Sequence, residues 1–318
     1  MENKIKTGLR EVMVQTLMRI VEKDKNIVVL VSDSTSTSKI APFMEKYPDR
    51  LVNVGIAEQN LIGIAAGLSL GGFIPVTTNA TPFLVGRSNE QIKNDICYSN
   101  LNVKLVGLNA GVCYGALAST HHSIDDISIM RSFGNIQIFA PSDPIEVEQI
   151  FNFAIDHIGP VYIRMDSDKF PNLHDSKYKF ETGKVDKLVE GDDISIIAVG
   201  SMVSQAFLAG QMLKKTGINA EVLNISSIRP LNKEQIISSI VKTKKVVTTE
   251  EHSINGGIGS LVAEIIAEYD ISAKLIRLGI ADGEFAKAGP RSEIRAYHKL
   301  DMDGIMEAVK KLLDKTKK

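Results

Sequence analysis

The stretch with the clearest chemical character is Val52-Asn53-Val54-Gly55-Ile56-Ala57-Glu58-Gln59-Asn60. It runs from a strand pattern into an apolar helical pattern starting near Leu61, so Glu58 falls at a strand-to-helix junction. In a parallel sheet, ligands bind at the carboxyl ends of the strands. A carboxylate flanked there by Ile56 and Ala57 is expected to be poorly solvated, and burial favours the protonated form. The plainer reading of Glu58 is an acid that complements a helix N-terminus. His121 and His122 are adjacent, so their side chains diverge and a metal-binding pair is not expected. Taken alone, Phe83 reads as core, and Arg10 and Arg164 read as surface ion-pair residues, although an arginine fork also suits phosphate oxygens. The cluster Gly256-Gly257-Ile258-Gly259 could form an anion-binding turn before a helix, with close packing the preferred reading.

Positioning such residues requires a scaffold. Short β-branched runs alternate with longer helical patterns, the mark of parallel sheets with crossover helices. The spacing predicts strands at Ile27–Val31, Leu51–Val54, Ile74–Thr78, Val103–Leu108, Ile136–Phe139 and Val161–Arg164. Their continuous apolar character suits strands covered on both faces. Ser34–Ser38 is hydroxyl-rich and expected to be a loop after the first strand. Leu61–Leu70 is apolar nearly all round, which predicts a buried helix. Asp143 ahead of Pro144 places a capping side chain before a proline at the first helical position. Residues 172–192 read as a linker, with a short hairpin at Tyr178–Val185. A second alternation follows, with strands at Ile194–Val199, Ala220–Ile225, Val246–Thr249 and Lys274–Leu278. The helix from Val203 ends on Lys214, Lys215 and Gly217, and Asn232 with Gln235 reads as a capping box. The expected fold is α/β: two doubly wound domains with mostly parallel sheets, at residues 1–171 and 193–318.

Length and composition agree. The chain has 318 residues, 44% hydrophobic and 24% charged, enough for two domains with real cores. A formal net charge of -1 gives no electrostatic reason to expect nucleic acid or an anionic membrane as partner. No apolar run approaches about 18 residues, and Met1-Glu2-Asn3-Lys4 lacks the apolar core of a signal peptide, so the cytoplasm is the expected location. The Lys-rich end from Lys310 to Lys318 reads as a solvated helix end. Two cysteines, Cys97 and Cys113, support neither a zinc site nor a disulfide framework.

The segment Val54–Asn60, followed by Leu61-Ile-Gly-Ile-Ala-Ala-Gly-Leu, resembles the motif of transketolases encoded as two separate polypeptides. The likeness continues in the family's order through Ala140-Pro-Ser-Asp-Pro, Val161-Tyr-Ile-Arg-Met, Asp193-Ile-Ser-Ile-Ile-Ala-Val-Gly-Ser-Met-Val, Ile228-Arg-Pro-Leu and Thr249-Glu-Glu-His-Ser-Ile-Asn-Gly-Gly-Ile-Gly-Ser. The chain is similar to the C-terminal subunit, which joins a thiamine-diphosphate pyrimidine-binding domain to a transketolase C-terminal domain. The resemblance implies a transferase that moves a two-carbon ketol unit, glycolaldehyde, from a ketose phosphate to an aldose phosphate. It also implies that a protonated Glu58 bonds to N1′ of the cofactor's aminopyrimidine, driving the 4′-amino group toward an imino form that acts as the base for the C2 proton. Ile56 and Phe83 would join Glu58 at the cofactor, Phe83 by stacking. His121 would face the substrate's reacting carbon, and Arg10, Thr37 and Arg164 would hold the sugar phosphate.

Relatives that hold the diphosphate do so through Gly-Asp-Gly and a downstream Asn, which bind Mg²⁺ and phosphate oxygens. Gly191-Asp192-Asp193 lacks the second glycine and reads as a turn. The resemblance therefore implies that this chain holds no metal. An N-terminal transketolase subunit with the Gly-Asp-Gly…Asn motif would supply that half of a shared site, two copies of each chain forming a heterotetramer. Four positions depart from the family. Ala80 and Gly86 stand where relatives carry aromatic rings, so Tyr98, Tyr114 or the partner would have to compensate. Leu117 replaces an Asp and Asn109 a His, both substrate contacts, which argues against ordinary pentose-phosphate substrates. The alternatives are a β subunit of another thiamine enzyme, of the 2-oxoacid dehydrogenase or deoxyxylulose-phosphate synthase type, and a catalytically decayed assembly subunit.

Overall fold

In the computed structural model, which describes residues 6–314, a short strand β1 (Lys6–Gly8) leads into the helix Leu9–Val21. Leu9, Met13, Leu17 and Val21 recur every fourth residue and form its buried stripe. The apolar runs then fold as expected. They are β2 (Ile27–Val31), β3 (Leu51–Asn53), β4 (Ile74–Ala80), β5 (Lys104–Leu108), β6 (Gln137–Phe139) and β7 (Val161–Arg164). These pair in parallel in the order β6-β7-β5-β4-β2-β3, with helices on both faces. A strand β8 (Lys169–Pro171) returns to pair antiparallel with β1.

The second half supplies β9 (Asp186–Val189), β10 (Ile194–Ala198), β11 (Ala220–Asn224), β12 (Ser227–Arg229), β13 (Lys245–Ser253) and β14 (Lys274–Ile280). Its sheet runs β14-β13-β10-β11-β9, parallel except for β9. The expected linker therefore ends early, because β9 within it already belongs to the second sheet. The expected hairpin at Tyr178–Val185 does not form. More unexpectedly, β12 crosses back and pairs antiparallel with β6, closing the first sheet. One apolar cluster joins Ile138 and Ala140 to Ile197, Val199, Leu223 and Ile225, so the two units share a core.

Local signals held unevenly. Asp143 caps the helix Pro144–Asp156, accepting from Glu146 N at 2.8 Å. Asn232 accepts from Gln235 N at 3.3 Å, but the Gln235 side chain turns to the Val185 backbone instead of closing the reciprocal half of a capping box. Part of the serine-rich loop, Thr35–Ser38, is a single helical turn. The helix Glu58–Leu70 is not buried all round. Leu61, Ile62, Ala65 and Ala66 face the core, while Gln59, Gly63, Gly67 and Leu70 form an exposed stripe. The final helix, Met302–Asp314, exposes Lys310 and Lys311, as read from sequence. The four residues after it lie outside the described residues, as does Met1–Lys4.

Candidate active site

Three neighbouring strands place the site. From β2 the chain passes to β3 on one side and then to β4 on the other, so the crevice at the carboxyl ends of β2 and β4 is the topological switch point. The loops there are tied together by hydroxyls. Ser32 Oγ donates to Gly55 O at 2.7 Å and accepts from Ala57 N at 2.9 Å. Ser34 Oγ donates to Thr78 O at 2.8 Å. Gly55 has φ +74°, a left-handed turn that favours glycine and swings the chain from β3 into the next helix.

Glu58 is the first residue of that helix and is only 4% exposed. Ile56 does not bury it, being 75% exposed; the core side does. The surroundings are also less apolar than expected. Asn79, at the end of β4, donates to Oε1 at 3.3 Å, and Arg87 donates to Oε2 at 3.1 Å. A cavity of about 420 Å³ opens beside the carboxyl, lined by Ile56, Ala57, Glu58, Gln59, Asn60 and Arg87.

From Arg87 a continuous line of contacts gathers most of the other candidates. The Arg87 guanidinium lies 4.1 Å from the Phe83 ring centroid. Phe83 meets the His121 ring edge-on at 5.2 Å, and His121 meets Tyr114 at 5.3 Å. Burial pushes the Tyr114 hydroxyl up, while the facing Asn109 and Thr37 side chains pull the other way. Arg10 donates to the backbone oxygens of Thr37 at 2.8 Å and Ser167 at 3.3 Å. Its buried Nε and the buried Oδ1 of Asn109 lack protein partners. His121 is set by its own turn. Ala118 adopts φ 60° and ψ −160°, and its carbonyl accepts from both His121 N and His122 N at 2.9 Å. A non-glycine residue in that region stores about 1–3 kcal/mol of strain. His122 turns away, with Nε2 on Gly115 O at 3.0 Å.

Arg164 departs from expectation. Its side chain is 4% exposed, and Nε donates to Asp126 Oδ2 at 2.8 Å. Nη2 reaches Glu251 O at 2.9 Å, tying the first sheet to the second. The fork faces inward to protein groups, because Asp126 and Tyr162 form a buried polar layer that requires a cation. The glycine cluster is likewise filled from within. Buried Glu250 accepts from Ile258 N and Gly259 N, both at 2.8 Å, so the helix N-terminus already holds a carboxyl. Of the hoped-for compensating aromatics, Tyr114 packs on His121 while Tyr98 is 87% exposed. Sequence reasoning did not single out Asn79 or Arg87. Arg87 follows Phe83 by one helical turn, the one local signal that could have pointed to it.

Comparison with known proteins identifies this architecture. The profile of the transketolase pyrimidine-binding domain matches residues 6–171, and that of the transketolase C-terminal domain matches residues 183–305. The chain belongs to the transketolase family. Within it, this chain matches the C-terminal subunits of split transketolases. It is 53% identical to one of the two subunits of the apulose-4-phosphate transketolase of Actinobacillus succinogenes, over 94% of this chain and 96% of that one. It is 38% identical to the "6-deoxy-6-sulfo-D-fructose transketolase subunit SqwH" of a Clostridium species, over 86% and 85%. A solved structure described as "Split gene transketolase, inactive beta4 tetramer" superposes with a TM-score of 0.88 at 36% identity, covering 96% of this chain and 98% of that one.

Proposed function

We propose that this transketolase-family chain is the subunit that activates thiamine diphosphate, transferring a two-carbon ketol unit between sugar phosphates in a site shared with a diphosphate-binding partner. The observation that carries this reading is the Glu58 carboxyl, buried at the switch point beside an aromatic ring and a cavity of about 420 Å³. Those residues fit an aminopyrimidine: a carboxyl to meet a ring nitrogen and the Phe83 face to pack against it. When bound, thiamine diphosphate supplies the nucleophilic carbon that takes up and passes on the ketol unit. Glu58 holds the proton that bonds to the ring nitrogen, with Asn79 fixing the carboxyl's direction. His121, held by the strained turn at Ala118, faces the reacting carbon of the sugar. Arg10, Thr37 and Asn109 hold the sugar's phosphate and hydroxyls, Arg10 and Asn109 each having a buried polar atom to offer. Ile56 borders the cofactor from the exposed rim.

The described residues do not suit Mg²⁺ and diphosphate. Of the two clusters with suitable ligand atoms, Cys113–Asp166–Glu251 is filled by the Arg291 guanidinium, and Asp143–Glu146–His174 is internally hydrogen-bonded. An N-terminal transketolase subunit with Gly-Asp-Gly…Asn is therefore the proposed holder, in a heterotetramer with two copies of each chain. The exposed stripe of Gln59, Gly63, Gly67 and Leu70 fits that arrangement, since it leaves one side of the Glu58 helix free for a partner. No helix among the described residues is long and apolar enough to cross a membrane, and the cytoplasm is the proposed location. The sugar named for the 53% identical relative, apulose 4-phosphate, is the first ketose to try, and Leu117 in place of a polar sugar contact favours such a substrate over ordinary pentose phosphates.

The test is reconstitution. The chain alone, with thiamine diphosphate and Mg²⁺, should be inactive, and the mixture with the diphosphate-binding chain should transfer glycolaldehyde units. Glu58→Gln in that mixture should abolish hydrogen exchange at the cofactor's C2 while largely keeping cofactor binding. Unchanged exchange would falsify the role given to Glu58, and an inactive mixture that binds cofactor would favour the decayed assembly subunit.

A further inference from the structure

Arg87 makes, within this chain, both contacts that the reading above gives to the aminopyrimidine. Its Nη1 lies 3.1 Å from Glu58 Oε2, and its guanidinium carbon lies 4.1 Å from the Phe83 centroid. A guanidinium and an aminopyrimidine are alike in what these partners sense: both are planar, rich in nitrogen, and able to stack on an aromatic face. They differ in hydrogen-bond direction. The guanidinium donates to a carboxylate, whereas a pyrimidine ring nitrogen accepts from a carboxylic acid. The two cannot share the same Glu58 oxygen and the same face of Phe83.

We propose that Arg87 is a built-in stand-in for the aminopyrimidine, covering Glu58 and Phe83 until the cofactor takes its place and the arginine swings out. This inference rests on the proposed thiamine-diphosphate role of Glu58.

Exposure around the pair fits such an exchange. The Arg87 side chain is 50% exposed while that of Glu58 is 5% exposed, so the cation can leave toward water and the carboxyl cannot. Arg87 ends the helix Thr81–Arg87, directly after Gly86, where nothing lies within 4 Å of the place a Cβ would take. The aromatic ring that relatives carry at that position would crowd this space, so the Gly86 departure gives Arg87 its room. Asn79 is 2% exposed and stays on the other oxygen, keeping the carboxyl aimed while its partner changes. The stand-in also explains how the isolated chain tolerates a buried carboxyl that apolar walls alone would leave unpaired.

The exchange has a proton balance. One N–H···O bond from Arg87 to the carboxylate breaks, and one O–H···N bond from the carboxyl to the ring nitrogen forms. The proton comes from solvent, and Arg87 keeps its charge. Cofactor binding by the wild type is thus linked to uptake of a proton by Glu58.

The experiment is isothermal titration of the full chain, assembled with its diphosphate-binding partner, with thiamine diphosphate and Mg²⁺ in two buffers of different ionisation enthalpy. Wild type, Arg87→Met and Arg87→Lys are compared, Arg87→Lys keeping the charge without the plane. Removing a competitor that closes the site raises apparent affinity by the inverse of the open fraction, here about tenfold for Arg87→Met. Its proton uptake should fall, and Arg87→Lys should lie between. Should Arg87→Met fail to fold, Arg87→Lys still decides, because tighter binding than wild type is expected of it alone. Weaker binding by the variants, or affinity and proton uptake equal to wild type, overturns the stand-in while leaving the functional reading intact. A wild-type complex that does not bind thiamine diphosphate overturns both.

Discussion

Asp126→Ala tests how Arg164 is held. Asp126 Oδ2 accepts from Arg164 Nε and from the Tyr162 hydroxyl, both at 2.8 Å, and the ion-pair side chains are 4% and 0% exposed. Removing the carboxylate strands a charged guanidinium and a phenol where water cannot reach them. Breaking a buried pair from one side costs about 3–5 kcal/mol, and the stranded hydroxyl adds about 1 kcal/mol. At about 2–4 °C per kcal/mol for a chain of this class, the thermal midpoint should fall by roughly 10 °C. Urea unfolding followed by circular dichroism gives the free energy directly. The double variant Asp126→Leu with Arg164→Met removes both charges and should cost at least about 2 kcal/mol less than the two single changes added together. In the active complex, Arg164→Met should lower stability without selectively raising KM for phosphorylated over unphosphorylated ketoses. An Asp126→Ala chain within about 1 kcal/mol of wild type, or an additive double variant, would refute the anchored arginine and restore Arg164 as a phosphate ligand.

Three further outcomes are expected. Burial alone would push His174 down, but hydrogen bonds to Asp143 and Asp186 and the charge of Glu146 outweigh it and raise His174 from 6.5 to about 10. Its stabilising contribution is therefore complete below pH 6.5 and lost as pH rises through about 10, so the stability deficit of His174→Asn should shrink over that window. Lys104, which burial pushes down to about 7, acts in the opposite sense from there to its ordinary 10.5, so the difference between wild type and variant is the quantity to follow. Gly107→Ala should destabilise by about 1–3 kcal/mol in urea titration. Its new Cβ would lie 2.8 Å from both Thr81 Oγ1 and the fully buried Tyr162 hydroxyl, so a neutral substitution would show that this layer can move. Burial pushes both thiols up, Cys97 to about 12, so at pH 8 each should react with a disulfide reagent far more slowly in the folded chain than in urea; rapid modification of the native chain would contradict their burial.

Local pattern and distant partners divide this molecule. Alternating apolar runs determined the strands to within a few residues at their ends, because a strand covered on both faces must be apolar throughout. Asp143 ahead of Pro144 determined a helix start, because the cap bond spans only three residues. The run from Val54 to Asn60 was enough to pick out Glu58 and its place at a strand end. Tertiary structure decided what each of those groups meets. Glu58 pairs with Arg87 across 29 positions, and Arg164 with Asp126 across 38 and with Glu251 across 87. The crossing of β12 into the first sheet depends on β6, far upstream in the chain. Periodicity reports which way a side chain points relative to its own helix or strand. It carries no information about which remote residue the fold brings to that side, and for a buried charge that remote residue sets its chemistry.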